Sequence, residues 1–126
     1  NIIIKKYFKK KVILIDRFVD STIAYQHYGM GVNLNLIKNI NKVILKGIKV
    51  DFTFLHYVSN KNMKKRLLKR KNLNRYDRFN MKFYQKVQLG YFKISKQNKS
   101  KYFLVNSNLS INENKKNIIK KINKLI

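Results

Sequence analysis

Apolar residues in this chain fall into two patterns, short continuous runs and runs with a helical period. Val12–Ile15, the aromatic and β-branched stretch Phe52–Val58, and Tyr102–Val105 are continuous runs, predicting three short buried strands. Helical spacing appears between them. Phe18–Tyr28 should begin a helix that Gly29-Met30-Gly31 breaks. Asn33–Gly47 reads as a second helix, with Asn33 as N-cap, Leu34, Ile37, Ile40 and Ile44 at helical spacing, and Gly47 as a C-terminal stop. Ser59 or Asn60 is placed to cap a third, which turns Met63 and Leu67 inward and carries Arg66 and Arg70 on another face.

The periodicity lapses across Lys71–Phe79, which is crowded with Arg, Asn and Lys and reads as a mobile loop. It resumes in Asn80–Gln97, where Phe83, Val87, Tyr91 and Ile94 form one amphipathic stripe. Gln97–Lys101 reads as a turn. The last helix opens on the capping-box sequence Ser110-Ile111-Asn112-Glu113 and sets Ile118, Ile122 and Leu125 on one face. At the other end, Asn1–Lys11 reads as the last turns of a helix or a basic loop, with Ile2–Ile4, Tyr7 and Phe8 available for packing. Strands separated by helices of this length imply βαβ units and a parallel sheet, an α/β class.

Composition changes this picture in two places. A length of 126 residues allows about one domain with a modest core. Thirty Lys and Arg against five Asp and Glu give a net charge of +25, which would suit nucleic acid or an acidic surface. The lysines, however, are scattered along the whole length, and the bias toward Lys, Asn and Ile without Pro, Trp or Cys fits an A+T-rich coding sequence. A nucleic-acid partner is therefore not expected, although a small basic nucleic-acid-binding module is the alternative reading. With no cysteine there is neither a disulfide framework nor a thiolate metal site. Lys or Asn interrupts every apolar run well short of the about 18 residues a membrane span needs, so no membrane partner is expected.

Candidate chemistry concentrates after the first predicted strand, in Val12–Gln26 (VILIDRFVDSTIAYQ). In open α/β sheets, ligands bind just beyond the carboxyl ends of strands, where Asp16 and Arg17 fall. Read alone, the pair fits an ordinary surface ion pair equally well. The longer pattern is more specific. Asp16-Arg17-Phe18, Ser21, Ala24-Tyr25-Gln26 and Gly29-Met30-Gly31 occur in the order and spacing of the thymidylate kinase signature, and the chain resembles that family. The resemblance continues through Asp51-Phe52-Thr53-Phe54-Leu55, through Arg70 and Arg75-Tyr76-Asp77 of an arginine-bearing helix and lid, and through Phe83-Tyr84, Val87, Tyr91 and Tyr102–Asn106. It departs at Val50, where the family usually has Pro, and at Tyr57, where it usually has Asp.

The resemblance implies a three-layer P-loop NTPase-like parallel sheet flanked by helices. It is incomplete here, because no G-x-x-x-x-G-K-[ST] phosphate loop is present and the family carries that loop upstream. It also implies an acceptor-nucleotide region at 12–31, a lid at 70–79 and a C-terminal strand and helix at 101–126. The implied activity is nucleoside monophosphate kinase, phosphorylating dTMP to dTDP with MgATP in dTTP biosynthesis, in the cytoplasm. The chain itself is expected to be a C-terminal portion that cannot turn over alone. By resemblance Arg17 would hold the acceptor phosphate, and Asp16 would orient Arg17 or reach a Mg2+-bound water. Ser21, Tyr25 and Gln26 would line the sugar and base of dTMP. Arg70, Arg75 and Asp77 would belong to the ATP lid, Arg75 catalytically. The family also forms homodimers through helices, for which Leu34/Ile37 or Phe83/Val87 could serve.

Other constellations carry less. Arg66 reads as part of a solvated helix face. His27 and His56 have no second ligand at metal spacing, and both read as structural, His56 within an apolar strand. Asp16 and Asp20 lack the apolar surroundings of a raised-pKa acid. Gly29-x-Gly31 follows a helix and has Leu34 where a third glycine would stand, so it is no dinucleotide fingerprint.

Overall fold

The computed structural model describes residues 11–70 and 80–125. Expectations for 1–10 and 71–79, including the leading apolar patch, the loop, Arg75 and Asp77, lie outside the described residues.

Short helix α1 (Val19–Thr22) passes directly into a π-helical segment, Ile23–Gly29. There follow α2 (Leu34–Leu45), β1 (Thr53–Tyr57), α3 (Asn60–Leu68), α4 (Met81–Gln97), a 3-10 turn (Lys99–Lys101), β2 (Tyr102–Asn106) and α5 (Ile111–Ile122). The two strands pair in parallel, with Thr53 opposite Tyr102 and Tyr57 opposite Asn106. This is the expected α/β arrangement, since a parallel pair needs a long helical crossover, here α3 and α4.

Local chemistry sets the helix ends. The Asn33 side chain accepts from the backbone N–H of Asn35 and Leu36, at 2.9 and 3.1 Å. At the other end of α2, Lys46 and Gly47 take left-handed backbone (φ 46° and 86°), which stops the helix. Ser59 caps α3 and Asn80 caps α4 through Phe83 N–H. Ser110 and Glu113 form the full reciprocal capping box of α5. The hydrogen bonds from Ser110 hold the Glu113 carboxyl below its ordinary pKa.

The core lies between the π segment and α4. Ala24, Phe83 and Val87 are buried together, with Tyr25, Met30, Tyr84, Tyr91 and Ile94 packed around them. Burying side chains of the size of Phe83 and Val87 contributes about 1.5–3 kcal/mol each. The two elements approach closely because two small residues face the crossing. A Cβ on Gly29 would sit 2.6 Å from the Phe83 ring, and one on Gly90 would sit 2.5 Å from the Tyr28 ring. The wide π turn is visible in the Met30 N–H, which bonds back to Tyr25 O at 3.1 Å, five residues earlier. Leu55 of β1 and Val105 of β2 are also buried, on opposite faces of the sheet by the strand register, and α5 lays Lys121 over Phe52.

Three expectations are corrected. Val12–Ile15 belongs to no strand, and Val12 and Leu14 are 73% and 87% exposed. An apolar run becomes a strand only where a neighboring strand takes its N–H and C=O groups, and among the described residues β1 and β2 pair only with each other. Ile37, Phe83 and Val87 are buried within the chain and cannot form a subunit interface. The exposed apolar stripe of α2 is instead Leu36, Ile40, Val43 and Ile44. Finally, α5 ends at Ile122, leaving Leu125 beyond it and exposed, while Ile118 and Ile122 are half-buried.

Candidate functional site

Arg17 takes left-handed backbone, φ 63°, which a residue with a Cβ adopts only against a steric cost. The turn that follows is closed by Ser21 N–H donating to Phe18 O at 2.9 Å. This places the Arg17 guanidinium 4.6 Å above the center of the Tyr25 ring, within cation–π range. Tyr25 is in turn held edge-on by Phe83, with ring centers 5.9 Å apart. The core thus supports the aromatic platform on which Arg17 rests.

Two tyrosine hydroxyls bind the same short helix from outside it. Tyr91 of α4 donates to Ser21 Oγ at 2.6 Å, and Tyr102 of β2 donates to Asp20 Oδ2 at 2.6 Å. Burial pushes the Tyr91 hydroxyl above its ordinary pKa, although the hydrogen bond with Ser21 opposes this. Tyr102 is pushed well up, first by burial and then by the Asp20 carboxylate that its proton serves.

A cavity of about 270 Å³ opens between Arg17 and Tyr25, the C-terminal end of β1, α3 and α4. Arg17, Arg66 and Arg70 all contribute to its wall, and among the described residues no Asp or Glu does. Met63, Leu67 and Phe92 supply apolar surface; Tyr84, Gln88 and Tyr91 supply polar heads from one face of α4. Three guanidiniums on a part-apolar wall that, among the described residues, carries no Asp or Glu suit a planar organic anion, because guanidinium binds phosphate or carboxylate bidentately and keeps its charge.

The structure brings Arg17, Tyr25 and Arg70 to this cavity. Asp16 is exposed beside Arg17, while Ser21 and Gln26 are not on the wall. Met63 and Leu67 are half-buried while Arg66 and Arg70 are exposed, as expected of an inward and a cationic face, and all four border the cavity; α3 ends at Leu68, two residues before Arg70. Arg66 is anchored, its Nη2 donating to Ser107 O at 2.6 Å. His56 lies in β1, as expected, with its side chain exposed on the cavity wall and Nδ1 3.3 Å from Ser107 Oγ. His27 ties its Nδ1 to Val32 O at 2.8 Å, a structural link. Tyr84 and Gln88 stand four apart beside the core stripe and Tyr91 stands at its edge, a helical spacing by which sequence reasoning could have found them. Among the described residues no three His, Cys, Asp or Glu side chains cluster for a metal, and no helix is long and apolar enough to cross a membrane.

Known proteins give the arrangement its context. The thymidylate kinase family model matches residues 1–118. A thymidylate kinase from Trichodesmium erythraeum is 40% identical over 87 residues, which is 69% of this chain and 39% of that protein. One from Sulfurihydrogenibium is 31% identical over 108 residues, 86% of this chain and 52% of that protein. The crystal structure of thymidylate kinase from Ehrlichia chaffeensis superposes with a TM-score of 0.69 at 28% identity, covering 96% of this chain and 57% of that one. The chain thus spans about half the length of the curated relatives it matches. With a family match over most of its length and a P-loop NTPase-type α/β fold in common with a solved member, the chain belongs to the thymidylate kinase family.

Proposed function

We propose that this chain forms the acceptor-nucleotide side of a thymidylate kinase, which transfers a phosphoryl group from MgATP to dTMP to give dTDP for dTTP biosynthesis. The observation that carries the reading is the Arg17 guanidinium stacked on Tyr25 at the edge of a cavity whose wall also carries Arg66 and Arg70. Phosphoryl transfer passes through a transition state that is largely spread negative charge, so positioned cations supply most of the catalysis. Arg17 holds the dTMP phosphate, and Tyr25 faces the nucleoside. Ser21 acts from behind the wall through Tyr91, and Gln26 shapes the same helix. Arg70, together with Arg75 and Asp77, serves the ATP side and excludes water.

Mg2+ at such sites is held by one or two carboxylates plus the nucleotide phosphates. Asp16, exposed beside Arg17, fits as one such carboxylate acting through water, whereas Asp20 is engaged by Tyr102. Bound with ATP, the ion would neutralize donor phosphate charge. The exposed α2 stripe Leu36, Ile40, Val43 and Ile44 is the surface for a homodimer, and a cytoplasmic setting follows from the nucleotide substrates. Without a phosphate loop in its 126 residues, the chain binds acceptor nucleotide and does not turn over.

Calorimetric titration with dTMP and a coupled kinase assay with MgATP and dTMP test both parts. The expected result is dTMP binding that Arg17→Ala weakens at least tenfold, as expected for a charge-assisted contact, with turnover at the no-protein level. Binding unaffected by Arg17→Ala would overturn the site, and turnover above control would overturn the claim of inactivity.

A further inference from the structure

Arg17 presents a mechanical problem. Its backbone is left-handed and it is exposed, yet its guanidinium must stay on Tyr25 to line the cavity. Nothing in α1 itself secures this, because the helix is four residues long and its N-cap, Phe18, has no side-chain cap bond. The restraint comes from distant elements. Tyr91, 70 residues along the chain from Ser21, binds the Ser21 hydroxyl. Tyr102, 82 residues from Asp20, binds that carboxylate. Ser21 then closes the turn onto Phe18 O, the residue next to Arg17.

We propose that Tyr91 and Tyr102 are positioning residues that, through Ser21 and Asp20, clamp the Phe18–Ser21 turn and hold the Arg17 guanidinium on Tyr25 for phosphate binding. The clamp joins α4 and β2 to the site, so both long-range elements fix one arginine. Its consequence for nucleotide binding rests on the acceptor-site reading; the clamp itself does not.

The test uses the whole chain and reads the Arg17 Nε–H resonance, which the Tyr25 ring current shifts. Tyr25→Leu supplies the unshifted reference. Tyr91→Phe and Ser21→Ala keep size and packing while removing the bond from either side. Each should move the Arg17 signal toward the reference, and the double variant should move it no further than either single one. Ser21→Thr, which keeps the acceptor oxygen, should restore the wild-type position. Tyr102→Phe should move the signal independently and add to Tyr91→Phe. The dissociation constant for dTMP should rise about fivefold in Tyr91→Phe, the ordinary worth of one hydrogen bond. An Arg17 signal unmoved by Tyr91→Phe, or additive shifts from Tyr91→Phe and Ser21→Ala, would overturn the clamp. Shifts as expected in a chain that binds no dTMP would support the clamp and refute the acceptor-site reading.

Discussion

Gly90→Ala puts the packing account at risk, because two well-founded effects oppose each other. In the interior of α4, replacing Gly by Ala should stabilize the helix by about 0.8–1 kcal/mol through backbone entropy alone. The site, however, is buried, and the new Cβ would lie 2.5, 2.7 and 2.8 Å from Cδ2, Cγ and Cβ of Tyr28. Carbon atoms pack at about 3.5–4.0 Å, so the π segment and α4 must part by about 1 Å. Tyr28 Cβ is fixed to its backbone, so rotating the ring cannot relieve the contact. Overpacking of this kind costs about 1–3 kcal/mol, which outweighs or cancels the helix gain. The net effect should be a loss of about 1 kcal/mol, read as a lower urea midpoint at unchanged slope.

The separation has a second readout. Tyr91 follows Gly90 directly, and its 2.6 Å bond to Ser21 crosses the same gap. Opening the crossing by about 1 Å takes that bond past hydrogen-bonding distance, so Gly90→Ala should also weaken dTMP binding. Tyr28→Ala removes the clashing ring and should make the Gly90 substitution less costly in the double variant. A rise in stability near the full helix-propensity value, with no coupling to Tyr28, would refute the reasoning.

Other outcomes follow from single features. Arg17→Gly removes the left-handed strain and should raise stability by about 1 kcal/mol while lowering dTMP affinity, as urea unfolding and calorimetry would show. Asn33→Ala leaves two N–H groups of α2 without their acceptor and should cost about 1 kcal/mol in the same unfolding assay. Tyr102 keeps its proton in the folded chain at pH values where the unfolded chain loses it. Its contribution is therefore complete below the ordinary tyrosine pKa of about 10 and is lost as pH rises beyond it. Tyr102→Phe should flatten the decline in stability above that pH and remove one late-titrating group from the alkaline absorbance titration of the eight tyrosines.

Local features of the fold were legible because their causes are local. Asn33, Ser59 and the Ser110–Glu113 box cap helices through bonds spanning two or three residues, which a linear pattern can specify. β2 was legible for a related reason, being bounded by a turn and a capping box. Val12–Ile15 was misread because an apolar run states a preference, whereas a strand needs a partner whose presence the run does not encode. Arg66 is exposed, as expected, but its anchor was not legible because the acceptor, Ser107 O, lies 41 residues away. The π segment was invisible for want of a pattern: its wide turn answers to the Gly29–Phe83 and Gly90–Tyr28 contacts across the core. Of the candidate site, the family signature located Arg17, Tyr25 and Arg70. The tyrosine contacts to Ser21 and Asp20 emerge only once α4 and β2 are folded against α1.

The most direct test of the account is a residue-by-residue NMR footprint of dTMP on the full chain. The account predicts saturable shifts at Arg17, Tyr25 and Tyr91, with little change in α2 or at the lysines of α5. Shifts spread over the lysines of α2, α3 and α5, with Arg17 and Tyr25 unmoved, would contradict it and mark the charge as a general polyanion surface.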